Sequence, residues 1–227
     1  MTPASDSASR RTLLAIYSTL FDDHGSREWW PGRTRIEIIV GAILTQNTAW
    51  VNVEKAIGSL RARRLLSLKA LREVPEGKLA ESIRASGYFR QKARKLKAFV
   101  LWLDERHGGS LAKAARAETD SLRAELLAVW GIGNETADSI LLYAFGRPVF
   151  VVDAYTHRVL RRHGLHPGGG YEAVRGMMER LLPRDVDLYN DYHAQLVWTG
   201  HHFCRPRPRC DSCPLRRYLP EAGAILD

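Results

Sequence analysis

The stretch Leu126-Leu127-Ala128-Val129-Trp130-Gly131-Ile132-Gly133-Asn134-Glu135-Thr136-Ala137-Asp138 decides the fold. Its two flanks read as helices joined by a Gly-x-Gly turn at Gly131, Ile132 and Gly133, with Thr136 close to the start of the second helix. Glycine permits the positive φ angles of a tight turn and leaves the backbone uncovered, so amides at the following helix start can approach a phosphate. A contact of that kind ignores base sequence. Taken alone, the same turn reads first as a corner that packs and does nothing more; the context supplied by the motifs on either side reverses that preference.

Outward from this hairpin, helical periodicity dominates and strand signals are scarce. Apolar residues three and four apart predict helices over 11–21, 36–44, 51–60, 67–74, 78–86, 90–107, 119–129, 136–145, 155–163, 171–182 and 188–203. The connections are short and marked by Gly or Pro, as at Pro31-Gly32, Pro75-Glu76-Gly77 and Pro167-Gly168-Gly169-Gly170. The expected class is all-α. Val149 to Val152 reads either as a short strand or as an apolar run feeding a helix.

With 227 residues, 45% hydrophobic and 26% charged, the chain has material for a real core and lacks the composition of a disordered or collagen-like protein. Its longest apolar runs stop well short of the roughly 18 residues of a membrane span. The polar start, Met1 to Arg11, has no apolar signal-peptide core, so an intracellular, cytoplasmic protein without a membrane partner is expected. Thirty-four Lys plus Arg against 25 Asp plus Glu give a net charge of +9, an indefinite hint of an anionic partner. The kind of cation is more informative: seven are Lys and 27 are Arg, and no Lys follows Lys113. All three cysteines lie within Cys204 to Cys213, which suits a metal role better than a disulfide framework.

Downstream of the hairpin comes Phe150-Val151-Val152-Asp153-Ala154-Tyr155-Thr156-His157, a carboxylate after an apolar run and at the start of a helix. Upstream stands Gly41-Ala42-Ile43-Leu44-Thr45-Gln46-Asn47-Thr48. In this order the three motifs resemble the helix-hairpin-helix superfamily of DNA glycosylases, endonuclease III group, over nearly the whole chain. The resemblance implies a two-lobed all-α fold with a central lobe at 27–147, a second lobe from 1–26 plus 148–227, and the active site in the cleft between lobes. It implies Asp153 as the catalytic carboxylate. By its position Asp153 also reads as a helix N-cap, a role that favours ionisation and is compatible with stabilising the positive charge that develops on a deoxyribose.

Members of this family that also cut the strand carry a lysine two residues after the second hairpin glycine, acting as an amine nucleophile. Glu135 stands there, and no lysine in the second half replaces it. A monofunctional glycosylase is therefore expected. The sequences Trp29-Trp30-Pro31 and Trp50 are similar to features of the bacterial 3-methyladenine glycosylases of this group. That likeness implies a base pocket walled by Trp29, Pro31 and Trp50 with Glu135, suited to a cationic alkylpurine between indole faces. It also implies DNA contacts from Gln46, filling the gap left by a flipped base, from Asn47, and from Gly131, Ile132, Gly133 and Thr136. The alternatives are an endonuclease III-like specificity for oxidised pyrimidines or mismatches, and an inactive damaged-DNA-binding module.

Cys204, Cys210 and Cys213 resemble the family's iron-sulfur loop, with a fourth cysteine expected near Leu219 and absent. A [4Fe–4S] cluster, a zinc ion with His201 or His202, and a metal-free loop all remain open; the chemistry needs no cofactor. Arg205, Arg207 and Arg209, with Arg216 and Arg217, offer guanidinium forks to phosphates. A helix bearing Arg90, Lys92, Arg94, Lys95 and Lys97 accounts for more of the positive charge. The expected partner is double-stranded DNA with damaged bases, met by a monomer associated with the nucleoid.

Overall fold

The computed structural model describes residues 3–27 and 32–226. The chain divides into two compact units, Met1–Trp29 with Pro148–Asp227, and Trp30–Arg147. Among the described residues the regular structure is helical throughout.

The second of these units is built around α2 (Arg35–Leu44). Its sequence is apolar on nearly every side, and such a helix is stable only when surrounded. Ile39, Val40, Ile43 and Leu44 are accordingly buried. Thr34 caps it by accepting from the Glu37 amide at 3.3 Å, and Glu37 pairs with Arg61 at 2.6 Å. Against it pack α3 (Trp50–Ala62) and the long α6 (Phe89–His107), and on α6 in turn pack α4 (Leu68–Glu73) and α5 (Glu76–Ser82). After the single-turn α7 (Leu111–Ala114) come α8 (Thr119–Ala128) and α9 (Asn134–Ser139), the two arms of the hairpin. The second arm starts two residues earlier than the periodicity predicts. It loosens into a π turn over Ile140–Ala144 before Gly146 ends it with φ 62°.

Of the five cations counted on α6, Arg90 and Arg94 are exposed, whereas two of the lysines turn inward. Lys92 is buried at 2% exposure, its ammonium donating to Leu44 O at 2.8 Å and Ser86 O at 2.6 Å. Lys97 donates to Leu71 O at 2.7 Å and Arg72 O at 3.0 Å. These amines serve as helix-end caps, because orphan carbonyls at a C-terminus attract cations. Charge counting cannot separate such internal ammonium groups from surface ones.

The other unit pairs α1 (Pro3–His24) with α10 (Ala154–Arg162), α11 (Tyr171–Leu181) and α12 (Val186–His202). Tyr192 Oη donates to Leu13 O at 2.8 Å, and Phe150 meets Tyr189 and Tyr192 edge-on, closing the core. Val149 to Val152 is buried and extended but pairs with no strand. Its amides turn instead to α11, Phe150 N donating to Glu179 Oε1 at 2.9 Å and Val152 N to Tyr171 Oη at 3.4 Å. A side-chain partner removes the need for a ladder.

Burial and the neighbouring Lys95 push the Lys92 ammonium down to about 8, against roughly 10.4 in an unfolded chain. Between those values the folded state binds fewer protons, so stability gains as pH rises from about 8 toward about 10. Urea unfolding of the protein and Lys92→Met at both ends of this window should show the protein gaining on the variant at the alkaline end. An unchanged difference would contradict the buried ammonium.

Candidate active site

The hairpin is locked by a buried ionic fork. Arg123 on α8 donates through Nε to Asp138 Oδ1 at 2.6 Å and through a terminal nitrogen to Oδ2 at 3.0 Å, and Asp138 is fully buried. Two parallel bonds fix direction as well as distance, so α8 and α9 are held at one angle. The two turn glycines have different jobs. Gly131 lies at φ 82°, and a Cβ there would meet the Lys95 stem at 2.5 to 2.8 Å. Gly133 is in ordinary extended backbone and a Cβ would meet nothing within 4 Å, so the expectation that both need a left-handed angle holds only for Gly131. Gly133 is exposed and gives the first turn of α9 no side-chain cap, whereas Ile132 is buried.

Gln46 is drawn into the same turn. Its Nε2 donates to Gly131 O at 3.1 Å and Thr136 Oγ1 at 2.9 Å, and its Oε1 accepts from the Lys95 ammonium. The amide reserved by sequence for a duplex gap, and the Thr136 hydroxyl, are thus committed within the protein. Burial lowers the Lys95 ammonium from its ordinary value. Asn47, next in sequence, is exposed and left-handed at φ 52°, a conformation asparagine tolerates. Glu135 is exposed.

Trp50 opens α3 and donates to Glu54 Oε1 at 3.1 Å. It lines a pocket of about 280 Å³ with Glu37, Glu54, Ile57 and Arg61. Glu135 is not among the residues lining that pocket, so these two expected pocket residues are not brought together there. Trp29 and Pro31 lie outside the described residues.

In the other unit Asp153 is the N-cap of α10. One oxygen, Oδ1, accepts from the Thr156 amide at 2.7 Å and the Thr156 hydroxyl at 2.9 Å. The other, Oδ2, stands 3.7 Å from Nε2 of His193 on α12, a residue that motif reading missed. Burial alone would push this carboxyl up; the His193 contact, followed by the Thr156 bonds, reverses the balance and holds it below its ordinary value. It is therefore ionised at neutral pH. The available signal was helical spacing: His193 and Gly200 are seven apart on one helix face, and a Cβ at Gly200 would come within 2.2 Å of the Tyr155 ring.

The cysteine loop does not fit a [4Fe–4S] cluster, one of the three states its sequence leaves open. Among the described residues no group of three or more His, Cys, Asp or Glu side chains is placed to hold a metal ion. The cavity beside the three cysteines measures about 20 Å³, room for about one water, and Leu219 lines it. Buried Arg162 donates to Cys204 Sγ at 3.3 Å and to the carbonyls of Arg205 at 2.6 Å and Pro206 at 3.1 Å. Burial raises the Cys204 thiol and pushes Cys213 up to about 11. Neither histidine weighed for zinc turns to the loop: His201 shares a hydrogen bond with Tyr155 Oη at 3.0 Å, and His202 stacks on Trp198. Arg205, Arg207 and Arg209 are exposed along the loop.

Comparison with known proteins assigns the family. The model of the HhH-GPD superfamily of base excision DNA repair proteins matches residues 40–184, and the chain belongs to that family. A protein of Methanocaldococcus jannaschii bearing the provisional name DNA repair glycosylase MJ1434 is 44% identical over 209 residues, covering 91% of this chain and 94% of that one. Endonuclease III of Thermotoga maritima is 30% identical over 182 residues, 80% of each chain. The solved Helicobacter pylori 3-methyladenine DNA glycosylase (MagIII), bound to 1,N6-ethenoadenine, superposes with a TM-score of 0.72 at 28% identity over 84% of this chain and 96% of that one. The protein is accordingly a DNA glycosylase of the base excision repair family.

The glycine geometry gives a direct test. Gly131→Ala should lose about 1–2 kcal/mol of stability, the cost of a left-handed non-glycine residue. Gly133→Ala should change denaturant stability much less. Equal losses would show that the turn is not as described.

Proposed function

We propose that this protein is a monofunctional glycosylase that flips an alkylated purine of the 3-methyladenine kind from double-stranded DNA and hydrolyses its N-glycosidic bond. Asp153 carries the reading, since a buried carboxylate held ionised is suited to a sugar that becomes cationic as the base departs. Its Oδ1 is spent on Thr156, which leaves Oδ2 to face the sugar and to orient the attacking water. Lost planarity or charge at this group would remove stabilisation from the transition state alone.

The absence of strand cutting rests on amines. Glu135 occupies the position of the family's nucleophilic lysine, and a carboxylate there forms no Schiff base. Lys92 is buried against two carbonyls. A second reading has one observation in its favour: Lys95, with its lowered ammonium, touches the hairpin through Gln46. It would make Lys95 the amine of a lyase.

Alkylpurine specificity is supported by the Trp50 ring at one pocket, whose π face suits a cationic base, and by the likeness to a 3-methyladenine glycosylase. A flipped damaged base also costs less to extrude than a normal one. Trp29 and Pro31 complete the pocket in this reading. Gly131 and Gly133 hold a phosphate through backbone amides, with Asn47 beside them, while the Ile132 amide is already donated to Val129 O at 3.1 Å. Gln46 enters the duplex gap only by leaving Gly131 O and Thr136, so those two bonds are exchanged for base contacts on binding. Arg205, Arg207 and Arg209 add phosphate contacts from a loop held by Arg162 rather than by a cluster. The protein works as a monomer on the chromosome in the cytoplasm.

The test scores free base and strand nicking separately on methylated, oxidised and mismatched duplexes, with borohydride present in a parallel reaction. Release of methylated purine, no nick, no trapped adduct, and loss of release in Asp153→Asn by roughly 10²-fold or more is the expected result. An adduct that disappears in Lys95→Met would establish the second reading. Tight binding with no base released from any duplex would point to a damage-recognition module instead.

A further inference from the structure

The reaction carboxylate is served by more than its own cap. Capping uses only Oδ1, through two donors of the same residue, Thr156. Oδ2 looks across to α12, where the nearest cation-capable atom is Nε2 of His193 at 3.7 Å. Both side chains are withdrawn from solvent, at 6% exposure for His193 and 11% for Asp153. The approach is built into the helix pair. Gly200 lies two turns along the same face of α12 and has no Cβ to collide with the Tyr155 ring, so α10 and α12 come together closely. A methyl group there would separate the helices and draw His193 away from Asp153.

We propose that His193 is a positioning residue for base release, holding Oδ2 of Asp153 in place; this rests on the reading that Asp153 carries the reaction. A carboxylate this buried tends to take up a proton, and a neutral acid cannot stabilise a cationic sugar. Thr156 opposes that tendency at one oxygen and His193 at the other, with His193 the larger influence. The other groups around Asp153 are occupied with neighbours. On α10, Tyr155 Oη is bonded to His201 of α12, His157 Nδ1 lies 2.9 Å from His166 Nε2, and Arg158 donates to Cys204 O at 2.9 Å. Arg161, also on α10, acts on His157. On α11, Tyr171 Oη accepts from Val152 N. His193 is the member of this set that addresses the free carboxylate oxygen.

The experiment compares His193→Gln, His193→Phe and Asp153→Asn with the unchanged protein, in single-turnover release of 3-methyladenine from about pH 2.5 to about pH 8, so that the acid limb of the unchanged protein falls inside the range. Neither His193 variant can carry a positive charge. Both should move the acid limb of the rate upward, His193→Phe by about one pH unit and His193→Gln, which keeps a donor, by less. DNA affinity should stay unchanged. If His193→Phe fails to fold, the His193→Gln profile decides alone. Profiles that superimpose on that of the unchanged protein, or that fall uniformly with the limb in place, overturn the proposal. If Asp153→Asn releases base at full rate, the reading of Asp153 itself fails, an outcome distinct from an unmoved acid limb.

Discussion

The interaction on which this protein depends is a carboxylate capping a helix. Asp153 closes the first turn of α10 through Thr156, and that bond pair fixes both the start of the helix and the rotamer of the acid. Cap and proposed catalyst are one group because both require the same state: an ionised carboxylate with one oxygen committed to the helix. The buried run Val149 to Val152 delivers it there, tied to α11 by side chains rather than to a sheet. A strand in that place would have needed a partner edge and would have fixed Asp153 by pleat instead of by cap.

In the other unit the corresponding constraint is the Arg123–Asp138 fork. Breaking a buried pair of this type costs roughly 3–5 kcal/mol, because the surviving charge is left without a partner. The fork sets the angle of the hairpin arms, and the Lys95–Gln46–Thr136 chain braces the turn from outside. Gly131 is required by this bracing as much as by its own φ, since the Lys95 stem lies where its side chain would be. Gly133 carries no such internal demand, and its openness is what a phosphate contact through the backbone needs.

How much of this was legible in the chain depends on range. The hairpin, the cap at Asp153 and most helix spans follow from patterns within a turn or two, so local chemistry exposes them. The roles of Lys92, Lys95 and Arg162 follow from partners tens of residues away: a charge run looks the same whether its ammonium groups face water or cap a carbonyl. Arg162 shows the point most clearly. Three cysteines at near-family spacing suggest a cluster, yet the group at the centre of the loop is a guanidinium bonded to a thiol and two carbonyls. His193 escaped notice because its meaning comes from the α10–α12 approach, which only Gly200 hints at.

The most direct measurement is a ¹³C NMR titration of the Asp153 carboxyl in the folded protein, assigned by its loss in Asp153→Asn. A carboxylate held by Thr156 and His193 predicts an apparent pKa below the roughly 3.9 of an unperturbed aspartate. A value at or above that figure would mean that burial wins over the cap and the histidine, and would contradict an ionised carboxylate as the centre of this site.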